Sequence, residues 1–104
     1  MDFKEYQDEA LKTFKPGLSS EQKILYCSVK LSEEVGETIG PLAKNIIHNK
    51  PLPEQHVINE LGDILYYIAI LANEYKIDLQ SIAEFNINKL RKRHGTSYNP
   101  DHYK

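Results

Sequence analysis

Apolar residues recur at helical spacing along almost the whole chain, and no window alternates with period two. Phe3, Tyr6, Ala10, Leu11 and Phe14 mark a first amphipathic helix over about 2–14, stopped by Lys15-Pro16-Gly17. A longer stripe of Ile24, Cys27, Leu31, Val35, Ile39, Leu42 and Ile46 follows an N-cap at Ser19 or Ser20, with Gln22 three residues after Ser19. After the turn His48-Asn49-Lys50-Pro51-Leu52-Pro53, the residues Val57, Leu61, Ile64, Leu65, Ile68 and Ala72 mark a third helix ending near Tyr75. Asp78 is the expected N-cap of a fourth, which carries Leu79, Ile82, Ala83 and Leu90 and ends before Gly95. The pattern predicts an all-α fold of four helices in one domain over 1–104, with its core at about 20–95 and a polar, frayed tail over 96–104.

Two places complicate this picture. Pro41 removes a backbone donor and crowds the carbonyl of Glu37, so the second helix either kinks there or ends at Gly40, with a new helix opening at Pro41. Between Ile64 and Ala72 nearly every position is apolar or aromatic, which calls for cover on all sides of the third helix. Four helices of one chain supply too little of it, and a homodimer or homotetramer is expected.

Candidate chemistry lies in two acidic pairs, Glu34 with Glu37 and Glu60 with Asp63. Residues three apart on a helix differ by about 300° in direction and about 4.5 Å in rise, so each pair shares a face. On antiparallel neighbours the two pairs converge into a site for a hard, oxygen-seeking cation, Mg²⁺ or Mn²⁺. Zinc is disfavoured, because no Cys or His belongs to either pair. Acidic helix turns are also common as plain solvated faces. Here, however, Leu31, Val35 and Ile39 flank one pair and Leu61, Ile64 and Leu65 the other, at the edge of the core, where an unneutralised cluster is costly.

Charge and cysteine usage narrow the setting. With 13 basic and 15 acidic residues the net charge is −2, so no global field draws nucleic acid or an anionic membrane. The single cysteine, Cys27, sits among Leu25, Val29 and Leu31 and reads as an inert buried thiol, in keeping with a reducing cytoplasm. The opening MDFKEYQDEA lacks the features of a signal peptide, and the longest apolar run is too short for a bilayer. A cytoplasmic protein without nucleic-acid or membrane partners is expected.

The stretch Lys30-Leu31-Ser32-Glu33-Glu34-Val35-Gly36-Glu37, followed by Glu60-Leu61-Gly62-Asp63, resembles the MazG-like nucleoside triphosphate pyrophosphohydrolases, whose signature is EExxE and then ExxD on the next helix. The likeness spans about 24–95. It implies an oligomeric all-α enzyme that uses Mg²⁺ to cleave (d)NTPs to the monophosphate and pyrophosphate. Carried over, it makes Glu34, Glu37, Glu60 and Asp63 the metal ligands, with Glu33 a neighbouring acid and Lys30 a phosphate contact. Glu37 is the choice for general base, with Glu33 and Lys30 beside it in the catalytic set. Asn86, Lys89 and Arg93 match polar and basic positions of the family's last helix and are expected to grip the triphosphate, although a basic helix C-terminus also suits the helix dipole.

Departures bear on the substrate. The related dCTP pyrophosphatase branch has an acid where this chain has Gly40, and uses tryptophans around the base, of which this chain has none. Tyr67 resembles a tyrosine that branch uses near the nucleotide, but a tyrosine on a buried helix is as often core. Base preference stays open. A non-catalytic nucleotide- or metal-binding oligomer would have almost the same sequence, although Lys30 beside Glu33-Glu34 favours turnover. A di-iron bundle would want Glu-x-x-His, which neither pair supplies, and a phosphoribosyl-ATP pyrophosphohydrolase would share the chemistry but not the substrate.

Overall fold

The structure, a computed structural model, describes residues 1–103, with side chains through Asp101. Four α-helices succeed one another: α1 (Phe3–Leu11), α2 (Ser20–His48), α3 (Glu54–Glu74) and α4 (Leu79–His94). Asp2 caps α1 by accepting the N–H of Glu5 at 2.8 Å. That helix is shorter than its apolar spacing predicts, because the Thr13 hydroxyl bonds back to the Ala10 carbonyl at 2.8 Å and the chain turns toward Gly17.

The Ser19 capping box forms in full, with Gln22 N–H on Ser19 Oγ at 3.2 Å and Ser19 N–H on Gln22 Oε1 at 2.9 Å. From there α2 runs unbroken through Pro41 to a left-handed cap at Asn49. A helix end at Gly40 is thus corrected. The ring costs a hydrogen bond, yet the helix continues, with Thr38, Pro41 and Asn45 half-buried along one side.

A short connection turns the chain back, and α2 and α3 form the main antiparallel pair of the molecule. At the end where α2 starts and α3 finishes, α1 lies across them, and Ala10, Cys27 and Ile70 form the centre of the core. Tyr6, Leu11, Phe14, Tyr66, Tyr67 and Leu71 surround it. Asp78 stands at the start of α4 but makes no capping bond; the N–H of Leu79 goes instead to Oε1 of Gln7 at 2.9 Å. After α4, the rings of His94 and Tyr98 stack at 5.6 Å, and a short 3₁₀ turn spans Pro100–Tyr103. Of that polar tail, the side chains of His102 and Tyr103 lie outside the described ones.

The far half of the chain is poorly covered. The radius of gyration is 16.8 Å, against about 13 Å for a compact chain of 100 residues. Ile58 and Leu61 of α3, Ile46 and Ile47 of α2, and Phe85 of α4 are all more than half exposed. Helix α4 packs on α1 and α3. No helix among the described residues is long and apolar enough to cross a membrane.

Candidate metal centre

Midway along the α2/α3 pair, the register sets Glu34 and Glu37 of one helix against Glu60 of the other. One carboxylate oxygen from each lies within 4.8 Å of the others. Glu34 is the deepest, only 7% exposed, while Glu60 is half-buried and Glu37 faces solvent. Glu34 Oε2 and Glu60 Oε2 are buried without a hydrogen-bond partner. Such oxygens are costly unless something outside the chain satisfies them. The Glu34 carboxyl is pushed up to about 7, chiefly by burial, then by the facing Glu60 carboxyl and the negative charges of Glu37 and Asp63.

The donor set is oxygen only, gathered from two rigid helices, and its orphaned lone pairs point to a missing positive charge. These residues therefore fit a hard divalent cation. Asp63 stands apart. It is exposed and outside the group of three, although its offset from Glu60 equals that of Glu37 from Glu34. Its charge still bears on Glu34 and on the Tyr6 hydroxyl.

Lys30 lies one turn before Glu34 and donates to Glu33 Oε2 at 2.9 Å. Glu33 is thereby turned away from the cluster and held in a largely solvated pair. Lys30 also lowers, and Glu34 raises, the affinity of the Tyr67 hydroxyl for its proton. The net effect, led by burial and by Tyr26, pushes that hydroxyl up to about 12. Asn86 and Lys89 line an open, largely apolar depression on α4 together with Ile82 and Phe85. Within one chain they and Arg93 belong to α4, outside the carboxylate group of Glu34, Glu37 and Glu60.

His56, a residue that the two acidic pairs do not include, also faces this region. It belongs to α3, one turn before Glu60, and its Nε2 is also buried without a partner. The i, i+4 spacing to Glu60 was the available signal. Sequence reasoning passed over Tyr26, whose ring meets that of Tyr67 edge-on at 6.3 Å.

An all-α chain whose two longest helices pair to set Glu34 and Glu37 of an EExxE segment against Glu60 of an ExxD segment defines a class of helical proteins built around an acidic cluster. The particular family is shown by the model of the MazG nucleotide pyrophosphohydrolase domain, which matches residues 22–97, and the chain belongs to that family. It is similar to the Gene 37 protein of Mycobacterium phage L5, at 33% identity over 73 residues, covering 65% of this chain and 63% of the phage protein. No solved structure matches the chain.

Proposed function

We propose that the chain is a Mg²⁺-dependent hydrolase, with Mn²⁺ as a substitute, that splits a nucleoside triphosphate between its α and β phosphates to give the monophosphate and pyrophosphate. The observation that carries this reading is the pair of buried, partnerless oxygens on Glu34 and Glu60, next to Glu37, in a chain of a nucleotide pyrophosphohydrolase family. When bound, the cation neutralises phosphate charge and acidifies a water.

The chain's own residues do the remaining work. Glu34 and Glu60 would hold the cation from opposite helices, with Asp63 as a further ligand at the rim. Glu37, the most solvated of the three clustered carboxylates, takes the proton of the attacking water. Lys30 leaves its exposed pair with Glu33 to grip a phosphate, a small cost because such a pair contributes little. Tyr67, whose hydroxyl keeps its proton well beyond neutral pH, donates a hydrogen bond to the substrate.

Asn86, Lys89 and Arg93 reach the substrate from a second copy. Apolar faces on α2, α3 and α4 stay uncovered in one chain, and burying them against another copy carries the α4 residues to a neighbouring site. The setting is cytoplasmic, without nucleic-acid or membrane partners.

A pyrophosphate-release assay over the eight common NTPs and dNTPs, with Mg²⁺ and with chelator, tests the reading. Release from any of them, abolished by chelation, supports it. No release from any, with metal bound, overturns it in favour of a binding module.

A further inference from the structure

Beyond the clustered carboxylates, α3 carries one more buried ligand atom. His56 lies one turn before Glu60, half-buried, and its Nε2 has no hydrogen-bond partner. That nitrogen is costly to bury unmet, whether it bears the ring proton or the lone pair. Polar side chains at this end of the helix pair are engaged elsewhere. The Thr38 hydroxyl donates to the Glu34 carbonyl at 2.8 Å, the Asn45 amide to the Lys50 carbonyl at 2.7 Å and the Gln55 amide to the Asn59 side chain at 2.9 Å.

Register sets what stands opposite the ring. The helices are antiparallel and Glu37 meets Glu60, so the step from Glu60 to His56 runs alongside the step from Glu37 to Pro41, and His56 and Pro41 are both half-buried. Proline has no N–H to give, either to the ring or to the Glu37 carbonyl four residues back, which is left short of its usual helical partner.

His56 and Glu60 are four apart on one helix, about 40° apart in direction and about 6 Å in rise. Two side chains at that spacing close on one metal ion in the paired-histidine zinc sites of helices. Glu60 also has an oxygen to share, because its Oε2 is buried without a partner. A carboxylate between two ions about 4 Å apart is a common arrangement in phosphate-cleaving centres. His56 nonetheless stands outside the group of Glu34, Glu37 and Glu60, whose oxygens lie within 4.8 Å of one another, so its nitrogen does not complete that group. Donor chemistry separates the two places as well. An all-oxygen set suits Mg²⁺, whereas an imidazole nitrogen suits Co²⁺, Ni²⁺ or Zn²⁺.

We infer that His56 and Glu60 form a second cation position, beside the oxygen-only centre, for a nitrogen-accepting divalent metal of the first transition row. The inference rests on the metal centre of the proposed function. Water or a substrate phosphate completes the coordination, and the shared Glu60 couples the two positions.

Cobalt is the probe, because its visible absorption reports nitrogen ligation. Co²⁺ is titrated into Mg²⁺-saturated wild type, into His56→Gln, and into His48→Gln as a control at an exposed residue in the last turn of α2. Wild type and control should bind one equivalent of Co²⁺ that Mg²⁺ does not displace. His56→Gln should weaken that binding at least about tenfold, the low end of what even an outer-sphere partner costs. In parallel, ¹H–¹⁵N spectra of the histidine rings are followed as Zn²⁺ is added over saturating Mg²⁺, and the His56 ring signal should move. If Mg²⁺ raises the melting midpoint, but His56→Gln binds Co²⁺ as the wild type does or Mg²⁺ displaces all of the Co²⁺, the second position is overturned and the oxygen-only centre stands. If neither ion binds the wild type, both fail. Sequential assignment identifies the His56 ring should His56→Gln not fold, and a ring unmoved by Zn²⁺ then overturns the position.

Discussion

Leu79 donates its backbone N–H to Oε1 of Gln7, 72 residues earlier in the chain, at 2.9 Å. The same Gln7 amide donates to the carbonyls of Ala69 at 3.0 Å and Ile77 at 3.2 Å. One buried side chain thus closes the end of α3, the start of α4 and the face of α1. Gln7→Leu leaves the Leu79 N–H and the Ile77 carbonyl unsatisfied, and should cost about 2–4 kcal/mol. A thermal melt should show a loss of at least about 8 °C; an unchanged midpoint would mean that the α3–α4 corner holds without it.

Glu34 makes stability depend on pH. A carboxyl raised from 4.5 to about 7 in the fold binds its proton more tightly there than in the unfolded chain. Its contribution is therefore fully present below about 4.5 and is lost as pH climbs through about 7. In chelator, the melting midpoint should fall between pH 5 and pH 8, and Mg²⁺ or Mn²⁺ at pH 8 should restore it by binding the native state alone. Scanning fluorimetry over that range checks both halves.

Replacing Glu34 with Gln separates stability from activity. The amide removes a charge that the site disfavours, so the metal-free protein at pH 8 should melt higher than the wild type while pyrophosphate release drops at least about 100-fold. A variant that is both active and unaltered in stability would place the cluster outside the chemistry.

Glu37→Gln and Asp63→Asn should abolish turnover while circular dichroism stays nearly unchanged, because both side chains are exposed and neither holds the helices together. Retained activity in both would refute the assigned site.

The uncovered faces give a hydrodynamic expectation. Sedimentation should find a dimer or tetramer. Phe85→Glu, at a ring 73% exposed in one chain and next to Asn86, should shift the population toward monomer and reduce activity in parallel. A monomeric wild type that remains fully active would remove the second copy from the site.

Much of this was legible in local spacing. The stripe from Ile24 to Ile46 marked α2, and the shared face of Glu34 and Glu37 marked the cluster, because helix periodicity is a property of neighbours in sequence. Errors arose where a distant residue intervened. Pro41 reads locally as a kink or a break, yet α2 runs through it to His48. Asp78 reads as a cap, yet Gln7 takes the first N–H of α4. The direction of α4, and with it the reach of Lys89 and Arg93, depends on that corner and on surfaces that one chain does not bury.

Cys27 is fully enclosed between Ala10 of α1 and Ile70 of α3. Burial also pushes its thiol up, away from the reactive thiolate. As the lone sulfhydryl of the chain, it becomes a clock: a thiol reagent can consume it only when α1 lifts from the helix pair. The rate of that consumption, with and without nucleotide, reports how often the N-terminal helix leaves its seat.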